Sequence, residues 1–160
     1  MEYNYYNISS RILLGIFCLG PLLGMGVFFI KTGTVFGIVS SIILLFLFIV
    51  FAYKNLFLKV TINEEGIVYR SLLKEKRIPW AELYDILIVV RERRSVPDYY
   101  KFTEWVDAGN SCKSYFILFR SSNEFPDNPM FMFSAPIGHN YISVQYRKGM
   151  EEVIKKYNKK

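Results

Sequence analysis

Two uncharged apolar runs of 19 residues each, ILLGIFCLGPLLGMGVFFI (Ile12–Ile30) and VFGIVSSIILLFLFIVFAY (Val35–Tyr53), stand near the start of the chain. At about 1.5 Å of rise per residue each makes roughly 28 Å of helix, close to the thickness of a bilayer's hydrocarbon core. One such run would suit the interior of a soluble protein. Two in tandem, joined only by Lys31-Thr32-Gly33-Thr34, predict a transmembrane hairpin with spans over about 12–30 and 35–53. A cleaved signal peptide would have a shorter apolar region of roughly 7–15 residues and a small-residue cleavage site, and no A-x-A pattern follows the first run. A hairpin leaves both termini on one side. Arg11, Lys54 and Lys59 flank its outer ends against Lys31 alone in the loop, which places the termini in the cytoplasm by the positive-inside rule. The expectation is a multi-pass protein of the cytoplasmic membrane, in which the sequon Asn7-Ile8-Ser9 is incidental.

The apolar fraction of 52% exceeds the roughly 45–50% usual for soluble chains, and the excess lies in the first third. From Lys54 onward the composition is that of an ordinary globular domain. The chain is therefore divided into 1–54, an N-terminal segment with two spans, and 55–160, a cytoplasmic domain. Pro21 predicts a kink in the first span, since it lacks a backbone donor. Gly20-x-x-x-Gly24 and Gly33-x-x-x-Gly37 admit a dimerisation face, and hence a homo-oligomer. They equally admit packing of the two spans on each other, which is the favoured reading.

Beyond Lys54 the apolar period changes to that of strands. LFLKVTI (Leu56–Ile62) and IVYRSLL (Ile67–Leu73) flank the turn NEEG, where Gly66 is free to take positive φ. KEKRI leads into a short third strand, and PWAEL forms a helical turn with Pro79 at its first position. YDILIVVRER (Tyr84–Arg93), YKFTEWV (Tyr100–Val106), SYFILFRSS (Ser114–Ser122) and PMFMFSA (Pro129–Ala135) read as four more strands. Ile142, Tyr146, Met150, Val153, Ile154 and Tyr157 share one helical face and predict a closing amphipathic helix, with Gly149 a soft point in its middle.

The order of these elements, with VTINEEGIVYR, then KRIPWAEL entering an apolar strand, then a closing helix, resembles a bacterial pleckstrin-homology-like domain over about Phe57 to Tyr157. The resemblance implies an α+β, mostly β, fold. In it a transmembrane α-hairpin would be followed by an antiparallel β-sandwich or barrel capped by a C-terminal helix. Many bacterial members sit beside a pair of spans. The long stretch Arg91–Lys113 departs from the short members. Some members of the wider family bind phosphoinositides through basic strand loops, but that pattern is absent here and the role is not carried over.

No H-E-x-x-H, G-x-S-x-G, C-x-x-C or phosphate-binding glycine loop occurs. His139 is the only histidine, Cys18 and Cys112 are far apart in sequence, and the acid pairs Glu64-Glu65 and Glu151-Glu152 fall in a turn and on a helix. The expectation is a non-enzyme without cofactor or metal. Trp80 and Trp105 read as packing residues.

Charge is the remaining signal. From Lys54 on there are 18 Lys and Arg against 13 Asp and Glu. The expected function is a membrane-anchored interaction module whose groove or sheet edge meets a protein partner at the inner face of the membrane. The aromatic segment Tyr99–Trp105 is a candidate contact, with core packing the plainer explanation of its rings. The alternative is a peripheral sensor of anionic lipid, for which Lys74, Lys76, Arg77, Arg91 and Arg93 are the candidate contacts. A topology-setting role explains the same charge more simply. Nucleic acid is excluded as a partner, because acids are interspersed with the bases and the domain is tethered near lipid.

Overall fold

The computed structural model describes residues 1–90, 97–109, 115–126 and 137–158. The chain divides into two compact units, Tyr6–Leu58 and a second comprising Met1–Tyr5 with Lys59–Lys160.

In the first unit, α1 (Ile8–Leu14), a π-helical turn (Gly15–Leu19) and α2 (Gly20–Lys31) run on as one stretch, and α3 spans Val35–Phe57. Asn7 of the sequon caps α1, its Oδ1 accepting from the Ser10 N–H at 2.7 Å. The wide turn lies directly before Pro21, and the Gly20 N–H reaches back to the Gly15 carbonyl. Proline removes a donor and crowds the preceding turn, and a π-bulge relieves both. The two helical stretches cover Ile8–Lys31 and Val35–Phe57, with mean hydropathies of 2.3 and 2.9. Only 11% and 17% of their most apolar windows are buried. Each is long and apolar enough to cross a membrane.

Between α2 and α3 the close contact runs through Gly26 and not through Gly20 and Gly24. The buried Ser41 hydroxyl donates to the Gly26 carbonyl at 2.6 Å, and a Cβ on Gly26 would touch Leu45 at 3.3 Å. A Cβ on Gly24 would meet nothing within 4 Å. Gly37 is required at the connection, where a Cβ would lie 2.7 Å from the Phe29 carbonyl. There Thr34 caps α3 through the Gly37 N–H at 3.1 Å.

Among the described residues the second unit carries two four-stranded antiparallel sheets. The first has the order β1 (Glu2–Asn4), β2 (Lys59–Asn63), β3 (Gly66–Arg70), β4 (Glu75–Pro79). The second has the order β6 (Asp98–Lys101), β5 (Asp85–Val90), β7 (Phe116–Arg120), β8 (Tyr141–Gln145). With α4 (Phe102–Asp107) and α5 (Met150–Tyr157) the class is α+β. Val60, Ile62, Ile67, Ile78, Ile88, Ile117, Leu118, Phe119, Ile142, Val144, Met150 and Ile154 form the core. In β2 the apolar side chains alternate inward, whereas β5 and β7 are buried along most of their length.

Several elements differ from the sequence expectation. β1 has no counterpart in the sequence expectation: Glu2, Tyr3 and Asn4 pair with Thr61, Val60 and Lys59, which follow both apolar helices in the sequence. β3 ends at Arg70, so Ser71–Leu73 belongs to a turn and not to a strand. The Tyr100–Val106 strand is replaced by β6 followed at once by α4, because Phe102 and Trp105, one helical turn apart, both face inward. The closing helix does not begin at Ile142. Tyr141–Gln145 is β8, and α5 starts only after Gly149, whose φ of 91° makes it the helix boundary and not a weak interior point. The expected strand Pro129–Ala135 lies outside the described residues.

Candidate functional site

The hairpin from β2 to β4 positions three of the candidate cations. Asn63 builds the β2–β3 turn by accepting from the Glu65 and Gly66 N–H groups, each at 3.1 Å. Trp80 fixes this turn from the far side: its indole N–H donates to the Asn63 carbonyl at 2.8 Å. The Pro-Trp signature thus locks the first hairpin to the 3₁₀ turn Trp80–Glu82.

Lys74, Lys76 and Arg77 are near in sequence but do not form one patch. Strand alternation sends Lys76 and Arg77 to opposite faces of β4. The Lys76 ammonium donates to the Gly138 and His139 carbonyls at 2.6 and 2.5 Å, and burial lowers its pKa below the ordinary lysine value. Arg77 pairs with Glu65 at 2.9 Å on an exposed surface. Lys74 is exposed and has no ion-pair partner among the described residues. Arg91 and Arg93 lie outside the described residues.

The remaining sequence candidates take structural places. Glu151 accepts from the Tyr146 hydroxyl and the Gly149 N–H, both at 3.0 Å, and so tightens the start of α5. His139 contributes its carbonyl to Lys76. In the aromatic segment Phe102 and Trp105 are buried, and Trp105 meets Tyr115 edge-on at 4.8 Å. Tyr99 donates to the Pro126 carbonyl at 2.8 Å. Tyr100 stays exposed on β6, which is an edge strand among the described residues. No group of three or more His, Cys, Asp or Glu side chains is placed to hold a metal among the described residues.

Two surface features were not anticipated. One is an aromatic cluster around the buried Arg120, which lies 4.1 Å from the Phe125 ring centre and 5.7 Å from that of Tyr84. Both rings are exposed on their outer sides. The other is the β3–β4 turn, Ser71–Lys74, which presents Leu72 and Leu73 to solvent. The signal for the turn was readable: two leucines fall between a serine and a lysine where the strand pattern ends. No protein-family model, curated protein or solved structure matches this chain.

Proposed function

We propose that the chain is a membrane-anchored, non-enzymatic interaction module. Its two apolar helices cross the cytoplasmic membrane, and its β domain lies on the cytoplasmic side as a pleckstrin-homology-like sandwich capped by α5. The pairing of β1 with β2 supports two retained spans over a cleaved leader, because removing the first helix would take β1 with it.

The observation that carries the interaction role is the β6 edge. This four-residue strand is hydrogen-bonded to β5 alone among the described residues and exposes Asp98, Tyr100 and Lys101. An extended segment of a protein partner would add there as a further strand, with backbone hydrogen bonds giving affinity and Tyr100 an anchor. The lipid-sensing alternative draws less support, since Lys76 and Arg77 already have intramolecular partners.

The test uses the full chain in its native membrane with a benzophenone amino acid replacing Tyr100 or, as a control, Glu64. The expected result is alkaline-resistant membrane association and a discrete protein adduct from position 100 alone. Lipid adducts from position 100 would favour the alternative. Equal adducts from both positions, or none, would remove the edge from consideration.

A further inference from the structure

We propose that Leu72 and Leu73, at the β3–β4 tip, insert into the interfacial layer of the bilayer that holds the two apolar helices, fixing which end of the β domain meets lipid. The inference rests on the membrane-anchored reading above. These are the two most exposed large apolar side chains of the unit among the described residues, at 69% and 85%. Nothing about the turn requires them, for such positions ordinarily take Gly, Pro, Asn, Asp or Ser. The turn is also braced. The Ser71 N–H and hydroxyl both donate to the Lys74 carbonyl at 2.9 Å, and the Lys74 N–H returns to the Ser71 hydroxyl at 2.9 Å. The backbone that carries the leucines is thereby already ordered.

Their position in the sheet identifies the occupant. Asn4, Lys59, Arg70 and Glu75 form one cross-strand row. The chain leaves the sheet for α1 just beyond Asn4 and returns from α3 just before Lys59, with only Leu58 between α3 and β2. The leucine tip therefore projects from the same end of the sheet as both connections to the apolar helices, and Arg70, where the turn begins, lies one strand, or about 4.8 Å, from Lys59. Charge follows the same polarity. Arg70 pairs with Glu75 at 3.3 Å and Glu65 with Arg77 at 2.9 Å, which leaves Lys74 beside the leucine tip and Glu64 at the tip at the opposite end of β2 and β3. A cation beside an apolar pair suits an anionic leaflet, and an acidic turn suits the side away from it.

The test places a single cysteine at Leu73 or Glu64 in the full chain carrying Cys18→Ala and Cys112→Ser. The cysteine is labelled with the fluorophore NBD, and the protein is reconstituted into phosphatidylcholine–phosphatidylglycerol vesicles. The expected result at position 73 is a blue-shifted emission that loses intensity when headgroup-proximal doxyl lipid is included, with neither effect at position 64. Equal, water-like emission at both positions in alkaline-resistant vesicles would overturn the inference while leaving the membrane reading intact. A blue shift at position 73 without lipid quenching would mean that protein covers the tip, which also overturns it. Release of the chain from vesicles at alkaline pH would instead remove the membrane reading, and this inference with it.

Discussion

Arg120 and Asp85 face each other across β7 and β5 and form a two-pronged pair, Nε to Oδ1 at 2.7 Å and Nη2 to Oδ2 at 2.5 Å. The Arg120 side chain is only 2% exposed and that of Asp85 31%. The third guanidinium nitrogen donates to the carbonyls of Asn123 and Glu124 at 3.1 and 3.3 Å, so the loop after β7 folds around the cation. A charge this deeply buried is tolerable because every nitrogen is used.

Breaking that pair from one side should be costly. Arg120→Ala should lower stability by about 3–5 kcal/mol, as expected for stripping one partner from a buried pair. Asp85→Asn should cost less, because its site is partly wet. Arg120→Met with Asp85→Leu should recover much of the loss. Urea unfolding of the full chain in detergent, followed by tryptophan fluorescence, measures all three. A double variant as unstable as Arg120→Ala would contradict this account.

Lys76 and Lys74 separate a structural from a surface role for the basic hairpin. Lys76→Gln removes a charged donor from two carbonyls and should cost roughly 1.5 kcal/mol, near the low end for charge-assisted bonds because the site is half-exposed. Lys74→Gln should stay within about 0.5 kcal/mol of the parent. Equal stability of the two variants would show that the Lys76 contacts contribute nothing to folding.

Gly66 has a φ of 145°, and a Cβ there would crowd the Ile78 carbonyl and lie 2.7 Å from the Pro79 Cα. Both neighbours are backbone and cannot rotate away. Gly66→Ala should therefore destabilise by at least about 1–3 kcal/mol. Gly109→Ala, at a φ of 73° with nothing within 4 Å, should cost only the left-handed penalty of about 1 kcal/mol. Chemical unfolding midpoints distinguish them.

Burial pushes the Tyr6 hydroxyl up from its ordinary 10.0 to about 12. The folded chain thus keeps this proton where the unfolded chain has released it, and stability falls as pH rises from about 10 toward about 12. In Tyr6→Phe that part of the alkaline decline should vanish. The parent's unfolding midpoint should fall relative to the variant's as pH rises across this window; an unchanged difference would refute the assignment.

What could be read from the chain alone was what repeats locally. The apolar helices, the Asn63–Gly66 turn and the strands β2, β5 and β7 each announce themselves within a few residues. β1 could not, because three residues acquire a strand's identity only from Val60 and its neighbours, far along the sequence. A fragment beginning at Asn55 would leave the β2 edge bare. β8 is hard to tell from a helix in the sequence because Ile142 and Tyr146 are spaced for one helical face, while burial of every residue from Ile142 to Tyr146 leaves no alternation to mark the strand. The candidate cations were legible as residues but not as a site. Lys76 and Arg77 are engaged by partners, Gly138, His139 and Glu65, that no spacing rule connects to them.

The position of β1 also sets an order of events during synthesis. It is made before either apolar helix, yet its partner β2 emerges only after both. Until then three residues wait without a ladder. They find one only when β2 has been made. If the two helices cross a membrane as proposed, a chain with one helix across and the other left behind would hold β1 and β2 on opposite sides and leave the outer edge of β2 open. On the membrane-anchored reading proposed above, completion of the first sheet would report correct insertion, because β1 and β2 can pair only on one side of the bilayer.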